Sequence, residues 1–262
     1  MINWPHMHAA THLAPAPRLA MCRAAVACIS ACMLLAAAGC SSHTETTSMC
    51  TDPLASAFQL MKSGHADQVD STYSANAREL AICTTEALGK LAGYQEQTSV
   101  EGKIQQESRV NVHPLRADIT ISHPQAGSPE EIVMIEEFVF VKIDGQWLEA
   151  TEDSENSAVR AALNLPKSLQ TQFNPHLRAA GTDDSIVYSA TGTDTILDTP
   201  VLILEAPITA EEGTYISRYY LDADYQLLRS EAVAQSGDVQ SATSITELDE
   251  PQTISNPMLP EK

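Results

Sequence analysis

Six cysteines are spread unevenly along this 262-residue chain, and one has a distinctive setting. Cys40 closes the stretch Leu34-Leu35-Ala36-Ala37-Ala38-Gly39-Cys40-Ser41-Ser42, where the small residues Ala37, Ala38 and Gly39 leave the backbone open to a protease. Cys22, Cys28 and Cys32 precede it; Cys50 and Cys83 follow. Among the histidines, His6, His8 and His12 form the one close cluster, also ahead of Cys40. His113 and His123 each precede a proline at a strand end, where a solvated turn accounts for them. Asp222 and Asp224 could hold a cation, but a hydrated hairpin tip needs none. The acidic stretches Glu130-Glu131, Glu136-Glu137 and Glu152 to Glu155 read as solvated surface. Glu136 and Glu137 interrupt an apolar run, so the rim of a cavity or an edge bend is the other reading. No G-x-S-x-G elbow, Gly-rich phosphate loop or H-E-x-x-H pair occurs. The expectation is a protein that is not an enzyme, without metal or cofactor.

The stretch ending at Cys40 resembles the lipobox of bacterial lipoproteins, in which the cysteine is diacylated and becomes the mature N-terminus. The upstream residues agree: Arg18 and Arg23 supply positive charge, and Ala24 to Ala38 is apolar but shorter than the roughly 18 residues of a membrane-spanning helix. A soluble secreted chain or an uncleaved anchor are the alternatives, and Met7 or Met21 could be the true start. Loss of residues 1–39 removes two arginines and no acid, taking the net charge from −19 to −21. So acidic a chain is a poor partner for nucleic acid or an anionic lipid surface, so attachment falls to the lipid. Two acyl chains suffice, at about 0.8 kcal/mol per buried CH2. Only Cys50 and Cys83 then remain to pair. In an oxidising compartment they predict one disulfide, against the alternative of a core Cys83 with a free Cys50 thiol.

The elements behind the tether follow from period and turn chemistry. Ser41 to Ser48 is Ser/Thr-rich and reads as a flexible tether. Asp52, Pro53 and the stripe Leu54, Ala57, Phe58 and Met61 predict a helix ending near Gly64. A second is predicted from Ser74 or Ala75 to Ala92, burying Leu80, Cys83, Ala87, Leu88 and Leu91, with Gly93 as its stop. From Tyr94 the period becomes two. Val100, Ile104, Val110 and Val112 share a parity, and Leu115, Ala117, Ile119 and Ile121 alternate in the next run. Ile132 to Ile143 reads as one central strand, apolar on both faces, before the Asp144-Gly145 hairpin. Ala158 to Ala180 is helical, divided by Pro166 and Pro175. Strands resume at Ser185 to Ala190, Pro200 to Ile208, Tyr215 to Leu221, Gln226 to Ala234 and Val239 to Leu248.

This order of elements resembles the LppX/LprAFG lipoproteins of actinobacteria, which share the LolA/LolB-like half-barrel. The residues that carry the resemblance are Phe138 to Trp147, Leu197 to Val201, Tyr219 to Arg229 and Leu248 to Ile254. The helix at Asp52 to Gly64 and the cysteine pair depart from the family pattern. The resemblance implies an α+β fold, a single curved antiparallel sheet with helices on its concave face, enclosing an apolar cavity. It implies binding and passage of lipids or lipoglycans across the cell envelope, with no cofactor and no catalytic residue.

Four segments are therefore expected: a signal peptide over 1–39, a lipidated tether over 40–51, a lipid-binding domain over 52–250 and a C-terminal tail over 251–262. Candidate lining residues, from the apolar parities, are Val100, Ile104, Ile119, Ile121, Phe138, Phe140, Leu202, Leu204, Tyr220 and Leu228. The expected partners are a lipid or glycolipid ligand and the membrane through a diacylglyceryl-cysteine, with an envelope protein as a further possibility. The expected state is a monomer on the extracytoplasmic face of the cell membrane. The rival from another class is an envelope interaction module with a closed core, and a void of several hundred Å3 separates the two.

Overall fold

The computed structural model describes residues 50, 53–62, 73–122, 129–210 and 213–259. Cys40, the expected signal peptide and most of the tether lie outside the described residues. Among the described residues the α-helices are α1 (Pro53–Lys62), α2 (Ala77–Leu88), α3 (Ser157–Ala161), α4 (Leu165–Gln172) and α5 (Pro175–Ala180). Strands β1 (Ser74–Asn76), β2 (Gly93–Val100), β3 (Lys103–Asn111) and β4 (Arg116–Ile121) occupy the first part of the chain. β5 (Glu130–Ile135), β6 (Phe138–Ile143) and β7 (Gln146–Glu149) precede the helical insertion. β8 (Val187–Ile196), β9 (Thr199–Ala210), β10 (Gly213–Leu221), β11 (Leu227–Ala234) and β12 (Val239–Leu248) follow it.

All strands join one antiparallel sheet in the order β1-β8-β9-β10-β11-β12-β2-β3-β4-β5-β6-β7. Among the described residues β1 and β7 are its edges, so the sheet is an open half-barrel. The helices pack on one face in two groups. Leu54, Ala57 and Phe58 of α1 and Leu80, Cys83 and Ala87 of α2 meet Leu202, Leu204 and Leu221 of β9 and β10. Val159, Ala162, Leu165 and Leu169 of the insertion meet Ile119, Ile132, Met134, Val139 and Val141 of β4 to β6. The two meanders thus each have their own helical cover, and α2 bridges them by packing against α5.

Local chemistry explains the helix ends. Asn76 caps α2, its Oδ1 accepting from the Glu79 N–H at 2.8 Å. Asn156 and Asn174 do the same for α3 and α5. α2 stops at Leu88, four residues earlier than expected, and the three residues before Ala77 are a strand paired to β8. Gly93 is not a helix stop but the first residue of β2. A Cβ there would lie 2.7 Å from the Val110 carbonyl, the Glu250 carbonyl and Asn111 Oδ1.

The segment expected as one strand over Ile132 to Ile143 is a hairpin. Ile135 pairs with Phe138 across a two-residue turn, in which Glu136 takes φ 58°. Paired residues share a face, so period-two counting straight through the turn reverses every face beyond it. Ile132, Met134, Val139 and Val141 face the helices, while Val133 and Phe140 lie on the opposite face with Ile254. The glutamates are exposed, as expected of solvated surface, and they form the turn itself rather than a cavity rim or an edge bend. The chain end is held as well. Asn111 Nδ2 donates to the Gln252 carbonyl at 2.8 Å, and the Gln252 N–H donates to Asn111 Oδ1 at 2.7 Å. From there Ile254 is laid into the outer cluster, so residues 251–254 belong to the folded domain rather than to a tail.

Cys50 and Cys83 form the disulfide that the cysteine count predicted, with Cα atoms 5.4 Å apart. It fastens the chain just ahead of α1 to the buried side of α2.

Candidate functional site

The strand registers carry one row of residues across the helix face. It runs from Leu204 and Tyr219 through Ser230, Thr243, Thr98 and Gln106 to Ile121. Both ends are apolar and the middle is hydroxyl- and amide-bearing. Thr98 and Thr243 hydroxyls meet at 3.0 Å, Gln106 Nε2 donates to Ser108 Oγ at 3.0 Å, and the Tyr188 and Ser217 hydroxyls meet at 2.7 Å. Tyr188 also stacks on Tyr219 with ring centroids 4.7 Å apart. The adjoining row places Glu96 beside Ile245 and Ser108 on the same face. Burial pushes its carboxyl above the ordinary range. The concave face is therefore apolar under each helical group and polar between them.

A pocket of about 410 Å3 opens where α2, the β3–β4 turn and the α4–α5 junction converge. Val112, Leu115, Phe173 and Pro175 form its apolar walls. Val112 belongs to the core cluster under the insertion, and Leu115 and Phe173 pack against it, so the pocket wall continues into that interior. Gly89, His113, Gln170, Asn174 and His176 contribute the remainder. The His113–Pro114 bond is cis, and His113 Nε2–H donates to the Gly89 carbonyl at 2.9 Å. Neither histidine was a candidate from sequence. They come from segments more than sixty residues apart, and only the packing of α5 against α2 brings them to one rim.

Of the ten lining candidates, Val100, Ile119, Ile121, Leu202 and Leu204 lie on the helix face. Five do not. Phe138 and Phe140 fall on the outer face because of the Glu136-Glu137 turn, Phe138 half exposed and Phe140 beneath Ile254. Ile104 is 50% exposed, because the register of β3 shifts between its pairings with Thr98 and Ser99. One extra residue there, Gln105, turns Ile104 away from the face that Gln106, Ser108 and Val110 share. Tyr220 pairs with Ile203, on the face opposite Leu202 and Leu221. Leu228 joins it through a bulge opposite Tyr220 and clusters there with Val201.

Around Tyr220 the outer face is ionic. The Tyr220 hydroxyl donates to Glu231 Oε2 at 3.1 Å, and the Arg218 and Arg229 guanidiniums hold Glu231 at 3.0 and 2.5 Å. Arg218 also reaches Glu205 at 2.5 Å. These four charges cancel across three strands. At the β10–β11 turn, Asp222 Oδ1 accepts from the Asp224 and Gln226 N–H groups at 2.9 and 2.8 Å, which explains its aspartate without a cation. Burial pushes the Asp222 carboxyl up, opposed by those two hydrogen bonds. Among the described residues no group of three or more His, Cys, Asp or Glu is placed to hold a metal ion, and no helix is long and apolar enough to cross a membrane.

The fold and pocket define a class: an α+β half-barrel with a pocket on the scale of a small-molecule site where the helices meet the β3–β4 end of the sheet. Solved structures similar to this chain include the lipoprotein LppX of Mycobacterium tuberculosis, at 14% identity, covering 67% of this chain and 97% of that one, with a TM-score of 0.43. LprF of Mycobacterium bovis is similar at 12% identity, over 69% of this chain and 96% of that one, with a TM-score of 0.42. The MucA/MucB complex of Pseudomonas aeruginosa is matched at 15% identity, over 66% of this chain and 56% of that one, with a TM-score of 0.40. LppX and LprF are lipoproteins of the kind that the order of sequence motifs resembles. No protein-family profile matches the sequence, and neither does any curated relative.

Proposed function

We propose that this protein is a membrane-anchored envelope lipoprotein, lipidated at Cys40, that binds the acyl chains of a lipid or lipoglycan on its helix-covered face and carries or presents them without a catalytic step. The observation that supports this most is the pocket of about 410 Å3, whose walls of Val112, Leu115, Phe173 and Pro175 continue into the core under the insertion. A volume of that size is on the scale of a small-molecule site. The test is native mass spectrometry of the chain purified from bacterial membranes, with uptake of a fluorescent fatty acid read in parallel. A co-purifying lipid, and uptake lowered at least tenfold by Phe173→Asp, is the expected result. Lipid-free protein that takes up no fatty acid would instead favour an interaction module acting on an envelope protein partner.

A further inference from the structure

The pocket rim has a chemistry that the acyl-binding reading does not use. His113 and His176 stand on different walls, one on the β3–β4 turn and the other at the start of α5, and both are exposed at the mouth above Val112, Leu115 and Phe173. In a chain with a net charge of −19, no carboxylate is among the residues that line this pocket. Its side walls are apolar and its only titratable lining groups become cationic on protonation. The His113 ring is oriented by donating Nε2–H to the Gly89 carbonyl, which leaves Nδ1, a donor to an anion in the imidazolium form, for a ligand. Asn174 Oδ1 accepts from the His176 and Leu177 N–H groups, which leaves its amide Nδ2 as an uncharged donor.

Resting on the acyl-binding reading, we infer that this pocket selects amphiphiles with an anionic head. The carboxylate or phosphate is held at the rim by His113 and His176, and the first part of the tail lies along Val112, Leu115 and Phe173. An apolar funnel alone binds an alkyl tail whatever its head; two imidazoles at its mouth add charge-assisted hydrogen bonds that only an anion completes.

The test compares dodecanoate, dodecyl phosphate and dodecanol binding at pH 6.0, on the full chain in phosphatidylcholine nanodiscs with empty discs as blank. His113→Gln, His176→Gln and the double variant are measured beside the unmodified chain. The expected result is that both anions bind about tenfold tighter than the alcohol, the scale of one charge-assisted hydrogen bond. That preference should fall to within about twofold in the double variant while dodecanol affinity is unchanged, which also shows that the variant is folded. A preference for one anion over the other identifies the head as carboxylate or phosphate. Equal binding of all three ligands overturns the anionic rim and leaves the acyl pocket standing. An anion preference that survives in the double variant also overturns it. Binding of none of the three overturns the acyl reading and this inference with it.

Discussion

Reducing or removing the Cys50–Cys83 disulfide should lower the stability of the domain by an amount the sequence separation sets. The two residues are 33 apart. With a closed loop of that size, the chain-entropy relation gives a loss of about 12.5 cal/mol/K in the denatured ensemble, or about 3.7 kcal/mol at 25 °C. Native packing adds little to this for Cys50, which is half-buried, whereas Cys83 is buried against α1 and β9. Cys50→Ala is therefore the clean perturbation, and Cys83→Ala adds a small packing loss to the same entropic one. At 2–4 °C per kcal/mol for a domain of this size, the Cys50→Ala midpoint should fall by roughly 7–15 °C. Thermal unfolding followed by circular dichroism, with and without reductant, reads this directly. Reductant should bring the unmodified chain to the midpoint of Cys50→Ala and leave the variant where it is. A shift below about 2 °C in both experiments would refute the reasoning, because it would mean that the loop is already constrained when the chain is unfolded.

Other outcomes follow from close contacts and buried charge. Gly93→Ala should cost about 1–3 kcal/mol, because the new Cβ meets three oxygens at 2.7 Å and β2 must move away from β3 and residue 250; an unchanged urea midpoint would contradict it. Glu231→Ala leaves Arg218 and Arg229 facing each other across a side chain that is only 2% exposed, and should cost roughly 2–3 kcal/mol, with Glu231→Gln costing less. Chemical denaturation of both variants at low and high salt measures the difference. Burial raises the Asp222 carboxyl above its unfolded value, so the folded state holds that proton more tightly. Its contribution is then full at acid pH and is lost as pH rises from the unfolded value through the folded one. Asp222→Asn keeps the acceptor for Asp224 and Gln226 and should flatten that slope above about pH 4, as read from urea midpoints; identical slopes would sink the assignment.

The sequence states which residues are apolar more clearly than it states which way they face. Tyr94, Val110, Ala117 and Ile119 alternate as expected because no irregularity lies between them and the core. The errors begin where one residue breaks the count. The two-residue turn at Glu136-Glu137 reverses Phe138 and Phe140, and the extra residue in β3 turns out Ile104. Asp144-Gly145 announces its turn through residues that tolerate positive φ, whereas Glu136 adopts positive φ with no such signal. The short β1 is set by pairing with β8, a partner over a hundred residues away, so nothing local marks it. The pocket was illegible for the same reason, since Gly89, His113, Phe173 and His176 meet only through tertiary packing.

The strand order has a consequence for how this chain comes to be folded. β12 lies beside β2, so the middle of the sheet is a seam between the first long strand and the last. Tyr94 waits for Leu248 and Val100 for Ser241, contacts that close loops of well over a hundred residues, the slow kind of pairing. In a chain synthesised N-terminus first, β2 to β7 arrive with one flank of β2 unpaired, and that flank stays open until β12 emerges. Until then the leading meander ends in an exposed edge strand awaiting its mate, and a product truncated before residue 239 leaves β2 permanently as an edge.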